Sequence, residues 1–226
     1  SLGFRMGEGY ITADPKLREA IDLAIDREEI VTFLLDGAGT PTRTVISPGN
    51  FGANEALYNQ NVHDIERAKQ LVEEAGYTGA TLTLSSASGR NLKDKETAEF
   101  IAAKLGEIGL NVKLDISDWS TFSQKYSSKT VGELFLYGYG NSMFDASLSL
   151  NNVYSQFAKG LTDYNNPEVD QLMDLAGKNL NEEERSKQYQ RIQEIITEDR
   201  PYVYLHQLKT NYGVNERVHF EPRLDE

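Results

Sequence analysis

The chain has 226 residues, 35 of them acidic and 23 basic, for a net charge of −12 at pH 7. No Lys/Arg cluster interrupts this acidity, which excludes the basic footprint a phosphate backbone requires, so no nucleic-acid partner is expected. Cysteine is absent, which removes thiol nucleophiles, disulfides and cysteine-type zinc sites together.

The length suffices for one good core or two small ones. No apolar run approaches the ~18 residues of a membrane span. Ser1-Leu2-Gly3-Phe4-Arg5 lacks the apolar core of a signal peptide. A cytosolic protein, a mature form and an excised piece all fit that start.

Leu2 to Thr12 is short, mixed and glycine-rich, and allows a strand around Gly9–Thr12. Asp14-Pro15 then reads as a helix start, an Asx cap followed by proline at the first helical position. Leu17, Ala20, Ile21 and Ala24 mark its apolar face. Asp26-Arg27-Glu28-Glu29 restarts the pattern as a capping box, and Gly37 ends it. Gly37 to Val62 is a long excursion rich in Gly, Pro, Ser and Asn, a length usually functional or mobile. Asp64 caps the next helix, with Ile65, Ala68, Leu71, Val72 and Ala75 on one face and Gly76 as its stop.

Ala80, Leu82 and Leu84 alternate with polar residues, which is strand periodicity. A polar loop is expected over Ser85–Asn91. Ala98, Ile101, Ala102, Leu105 and Ile108 are helical, and Leu110, Val112, Leu114 and Ile116 alternate again. This is a β-α-β unit with parallel strands and a right-handed crossover. Trp119–Ser127 reads as helix.

Leu134, Phe135, Leu136 and Tyr137 form a short apolar run, the pattern of a strand buried on both faces. It stops at Gly138-Tyr139-Gly140-Asn141-Ser142. Ligands in open α/β sheets sit beyond the carboxyl ends of strands. A buried strand emptying into an aromatic, glycine-rich loop is therefore a candidate site, although an ordinary tight connection has the same look. Asn166-Pro167 and Asn181-Glu182-Glu183-Glu184 open two further helices, the second burying Tyr189, Ile192, Ile195 and Ile196. Pro201–Leu205 reads as a strand, since proline is tolerated at its first residue. Strands near Thr81–Ser85, Asn111–Ile116 and Leu134–Tyr137 should share one sheet, with helices Lys95–Ile108 and Glu182–Thr197 packed on it. Asn211–Glu226 has no periodicity.

Chemistry is hard to find. His63, His206 and His219 have no zinc spacing, so no metal or cofactor is expected. Gly138-x-Gly140-x-x-Met143 fails the dinucleotide pattern at its third glycine. Ser85–Gly89 has the composition of an anion cradle without Gly-Lys-Ser/Thr, and a plain strand-to-helix turn has it too. Paired carboxylates remain open among 35 acidic residues, with nothing to pick out a pair.

The run Asp14-Pro15-Lys16-Leu17-Arg18-Glu19-Ala20-Ile21-Asp22-Leu23-Ala24-Ile25-Asp26-Arg27-Glu28-Glu29-Ile30 resembles the D-x-x-[LV]-R-x-A-[IL]-x-x-A-I-D-R-x-x-[IL] signature of the family 5 solute-binding proteins. These serve ABC importers for dipeptides, oligopeptides and nickel. Further matches follow in order at Gly37–Pro41, Ala68–Tyr77, Leu105–Val112, Tyr164–Asp170, Arg191–Ile196 and Pro201–Leu205.

The resemblance implies a periplasmic binding protein type II-like C-terminal lobe. Its fold would be α/β, a mixed sheet with a βαβ unit and flanking helices. Residues 1–13 would enter from a missing N-terminal lobe, residues 14–209 would form the solute-binding lobe, and residues 210–226 would return toward the missing lobe. It implies capture of a peptide or other small solute, ABC permease subunits as partners, no catalysis, and an extracytoplasmic, membrane-anchored full-length protein.

Peptide-binding members carry a Gly-Trp-x-x-Asp-x-x-Asp-Pro motif after a buried strand. Laid without gaps, Gly138, Tyr139, Asp145 and Ala146 match Gly, Trp, the second Asp and Pro. Ser142 falls where the first Asp pairs with a peptide's ammonium, a departure that argues against a free-amine peptide. Some dipeptide-type members hold the solute's carboxylate with an Arg in the loop before the long helix. The ungapped position here is Ser88, with Arg90 two residues on. The resemblance thus implies Tyr139, Gly140, Asn141, Ser142, Asp145, Ser88 and Arg90 as ligand-binding residues. The alternative from another class is an α/β hydrolytic domain using an unassigned carboxylate pair.

Overall fold

A computed structural model describes residues 1–221. The chain begins in strand β1 (Leu2–Phe4), makes a 3-10 turn at Ile11–Ala13, and enters helix α1 (Pro15–Ala24). The Asp14 carboxylate accepts from the Lys16 N–H at 2.8 Å, with Pro15 in the first turn. A short helical turn α2 (Arg27–Glu29), capped by Asp26, continues into a π turn at Ile30–Leu34. The strand allowed at Gly9–Thr12 is not formed. Thr12 instead turns inward, fully buried, and its hydroxyl donates to the Arg5 carbonyl.

The long excursion carries strand β2 (Gly39–Pro41) and a 3-10 turn at Glu55–Leu57. Helix α3 (Ile65–Glu74) follows, then β3 (Thr81–Ser88), α4 (Asp94–Glu107), β4 (Asn111–Asp118), α5 (Trp119–Ser127) and β5 (Leu134–Leu136). After a loop come α6 (Ala146–Leu150), α7 (Ser155–Ala158), α8 (Pro167–Ala176), α9 (Glu182–Asp199), β6 (Tyr202–Val203) and β7 (His206–Leu208).

Five strands form one mixed sheet in the order β4-β3-β5-β1-β6. β3 runs parallel to β4 over eight residue pairs, from Thr81 opposite Asn111 to Ser88 opposite Asp118. It is also parallel to β5, whereas β1 is antiparallel to both β5 and β6. β2 and β7 pair separately. The β-α-β unit is therefore as the alternation predicted. β3, however, runs on through Ser85–Ser88, where a loop was expected. Ser85 and Ser86 are buried, and the Ser85 hydroxyl donates to Asp115 at 2.9 Å and accepts from the Gly132 N–H. Strand membership here is carried by those polar partners, so apolar alternation could not reveal it.

The sheet is covered on both faces. Leu82, Leu84 and Leu134 pack with Leu17, Ile21, Leu71, Ala98 and Ile101 from α1, α3 and α4. Phe135 and Tyr202 point the other way, to Phe122, Met173, Tyr189, Ile192 and Ile196 from α5, α8 and α9. Successive residues of β5 thus serve opposite cores, which is why the run 134–136 carries no polar face. The two helices expected on this sheet lie on opposite sides of it.

Candidate functional site

Beyond the carboxyl ends of β3 and β5 lies a hollow of about 890 Å³. One wall is the chain leaving β5, Tyr137–Ser142 and Phe144. Another is the β3–α4 connection, Arg90–Leu92 and Asp94. Trp119 and Phe122 of α5, the excursion loop through Ser47 and Asn50, and the segment Tyr204–Leu208 close the rest. Arg90, Asn91, Gly138, Gly140 and Ser142 are exposed on it.

The aromatic wall is built from the inside out. Tyr137 stacks on Tyr126 with ring centroids 4.2 Å apart, and lies 5.0 Å from Tyr139 and 6.2 Å from Trp119. The Tyr139 hydroxyl points inward, 3.2 Å from the hydroxyls of both Tyr126 and Tyr202. Burial pushes the Tyr139 and Tyr202 phenols well above their ordinary range, so the chain stays protonated. What Tyr139 can offer a ligand is its ring, not its hydroxyl.

Arg90 lies across the face of Trp119, its guanidinium carbon 5.0 Å from the ring centroid. That contact is a cation–π interaction. Its guanidinium N–H groups meet no acceptor among the described residues. The loop it stands on could cradle an anion by composition, but the cradle is filled from within. The Asp94 carboxylate accepts from the backbone N–H groups of Gly89, Arg90 and Asn91 at 2.9, 2.8 and 3.0 Å. The turn is the start of α4, with its first acidic residue as its own anion.

The remaining residues divide. The Asn141 side chain donates to the Asp145 carbonyl and the Ser149 hydroxyl and accepts from the Met143 N–H, which shapes the loop from within. Ser142 is exposed, and its hydroxyl has no partner among the described residues. A side chain at Gly140 would meet open space. Ser88 ends β3 opposite Asp118, and Asp145 is engaged by Arg185; neither lines the hollow. Tyr139, Gly140, Asn141, Ser142 and Arg90 are brought together, and Ser88 and Asp145 lie outside the lining.

Sequence reasoning named no residue of the excursion loop and none of Tyr204–Leu208 as wall. The Tyr58 hydroxyl donates to the Gln207 side chain of β7, tying the excursion loop to that segment at the hollow's edge. His206 lies beside them, and burial lowers its pKa to about 4, so it is neutral at pH 7. The length and composition of the excursion were the available signal.

The model of the bacterial extracellular solute-binding proteins, family 5 Middle, matches residues 1–160. The chain belongs to this family. It is 27% identical to the oligopeptide-binding protein AppA of Bacillus subtilis over 94% of its length, and 28% identical to heme-binding protein A of Haemophilus influenzae over 83%. It is also 26% identical to the glutathione-binding protein GsiB of Salmonella paratyphi A over 85%. It spans 42%, 35% and 39% of those three proteins. Among solved structures, the periplasmic binding protein DppA of Helicobacter pylori in complex with the peptide STSA superposes with a TM-score of 0.81 at 26% identity, covering 91% of this chain and 40% of that one. Bacillus subtilis AppA in complex with a nonapeptide gives 0.78 at 26% identity, covering 91% and 44%. The mixed α/β lobe expected from the resemblance is thus the fold of these type II binding proteins.

Proposed function

We propose that this chain is the C-terminal lobe of an extracytoplasmic solute receptor for an ABC importer, with peptides as its solute class. The hollow forms one wall of the capture cleft, and a second lobe of the same protein forms the other. Permease subunits receive the closed complex, and a membrane anchor keeps the receptor near them. The observation that carries this reading is the position of the hollow: beyond the strand ends of a family 5 lobe, lined by exposed aromatic and amide groups and an unpaired guanidinium. Relatives crystallised with peptides support the solute class.

In this reading Tyr139, Gly140, Asn141, Ser142 and Arg90 face the solute. Tyr139 gives an apolar ring, Gly140 room for close backbone approach, Ser142 a neutral hydroxyl and Arg90 a planar fork of donors. Asp145 acts by holding its loop through Arg185. The hydrolytic alternative finds no pair of carboxylates among the described residues of the hollow's lining, where the one acidic side chain is Asp94, already bound by backbone.

Calorimetric titration of the whole protein with tetrapeptides should give saturable binding near micromolar, with the peptides recovered intact. Arg90→Ala and Tyr137→Ala should each weaken it about tenfold, about 1.4 kcal/mol. Peptide cleavage, or binding indifferent to both substitutions, would count against the proposal.

A further inference from the structure

Outside the hollow's lining, three guanidinium groups meet one carboxylate. Asp22 of α1 accepts from Arg27 of α2 on one oxygen, and from Arg43 and Arg200 on the other. No second carboxylate among the described residues lies within ion-pair reach of these three arginines. The Asp199 carboxylate, next to Arg200 in sequence, accepts instead from Tyr164 and Asn166. The end of α9 takes one donor, from Arg200 Nη1 to the Glu198 carbonyl at 2.8 Å, but a helix end carries only a partial charge. Three positive charges thus converge on one negative, in a chain whose net charge is −12. Arg43 registers the imbalance. Burial lowers its pKa, and Arg27 and Arg200 lower it further against the opposing pull of Asp22.

Hydrogen-bond donors are in surplus as well. A guanidinium carries five N–H groups. Arg43 uses Nη2 at 3.4 Å, while its Nε and Nη1 meet no acceptor among the described residues. Arg200 Nη2 meets none either. Arg27, with 1% of its side chain exposed, leaves Nη1 buried and unpaired. The cluster is open to water on one side, since 15% of the Arg43 side chain and 21% of that of Arg200 are exposed. Both donate to the same Asp22 oxygen, which holds the two guanidinium groups side by side. Adjacent planar forks with spare donors match a tetrahedral oxyanion, which can accept from both at once. We propose that Arg43 and Arg200 bind a small inorganic oxyanion of the phosphate or sulfate class, with Asp22 holding the pair in place. The anion supplies the negative charge that Asp22 alone leaves unmet. This site is separate from the hollow and stands whether or not the hollow captures a solute.

The test is thermal unfolding of the 226-residue chain with inorganic phosphate added at constant ionic strength, sodium chloride making up the difference. An anion that binds the folded state alone raises the melting temperature along a saturable curve. Half-saturation is expected at about millimolar phosphate, the strength of two or three charge-assisted hydrogen bonds on a wetted face. Arg43→Gln and Arg200→Gln should each weaken that binding about tenfold. Arg191→Gln, in an exposed network on α9, should leave the phosphate dependence unchanged. Should a variant fail to fold, amide shifts of the unsubstituted chain decide, because phosphate should move the signals of Asp22, Arg43 and Arg200. A rise without saturation, a saturable response that survives both substitutions, or shifts that fall elsewhere on the chain overturns the proposal.

Discussion

Asp145 and Arg185 form a two-point ion pair, with guanidinium nitrogens 2.8 and 2.9 Å from the two carboxylate oxygens. The Arg185 guanidinium also lies 4.7 Å from the Phe51 ring centroid and 5.0 Å from that of Tyr189. Phe51 in turn exchanges backbone hydrogen bonds with Phe144 and Ala146. One arginine on α9 thereby fixes two loops of the hollow against each other. Asp145→Asn keeps the shape and removes the charge, leaving a half-buried guanidinium between two rings. It should cost about 1–3 kcal/mol, the range for hydrogen bonds to charged groups. Urea unfolding reads this directly, and an unchanged midpoint would show the pair to be incidental.

Asp22 answers three arginines. Arg27 donates to one of its oxygens, Arg200 and Arg43 to the other at 3.1 and 3.4 Å, with 4% of the Asp22 side chain exposed. Removing the acid strands buried cations, so Asp22→Asn should destabilise by about 3–5 kcal/mol. Burial alone would raise the Asp22 pKa, but the three guanidinium groups hold it below the ordinary carboxylate value. A depressed folded pKa gives stability that is complete above about pH 4 and is lost as pH falls through the folded value. Stability should therefore drop below pH 4, and less steeply in the variant. Equal slopes for the two proteins in acid unfolding would refute this.

Much of the fold is legible in order along the chain, because its signals are local. The caps at Asp14, Asp26, Asp64, Asn166 and Asn181 are all made by the side chains that announced them. Alternation in 81–85 and 111–116 was enough to predict a parallel pair. β1 was not legible: three residues carry no period, and their partners are Leu136 and Val203, far along the chain. One wall of the hollow was legible where a strand empties into a loop, at Tyr137–Ser142. It was not legible at Asp145, whose partner is 40 positions away in a helix of many charged residues. Polar Ser85–Ser88 hid a strand for the same reason, since its partners are tertiary.

Gly3 makes a prediction of close approach. A Cβ there would come within 2.3 Å of the Phe135 ring and 2.8 Å of the Tyr202 ring. Those rings pack edge to face at 6.1 Å and are buried, so neither can swing away. Gly3→Ala should cost about 1–3 kcal/mol by overpacking. A variant with unaltered thermal stability would mean that β1 does not lie between β5 and β6.

The hydroxyl chain Tyr126–Tyr139–Tyr202 predicts behaviour in alkali. Burial raises all three phenols above the ordinary value near 10. A raised folded pKa means stability that is whole below about pH 10 and lost as pH rises beyond it, because only the unfolded chain ionises. Spectrophotometric titration should show these tyrosines silent until unfolding. Tyr139→Phe should reduce stability at neutral pH by about 1–3 kcal/mol, as it leaves the buried Tyr202 hydroxyl short of a partner. Smooth titration of all 12 tyrosines near pH 10 in the folded protein would contradict this.

If this lobe supplies one wall of a two-walled capture site, amide chemical-shift mapping on the 226-residue chain alone, titrated with tetrapeptides, reports it most directly. A half-site must still pin the solute's motion while making about half the contacts. Shifts should concentrate at Arg90–Leu92 and Tyr137–Ser142 and saturate only toward millimolar peptide, about a thousandfold weaker than a complete site. Sub-micromolar binding by this chain alone, or saturable shifts confined to residues outside the hollow, would contradict it.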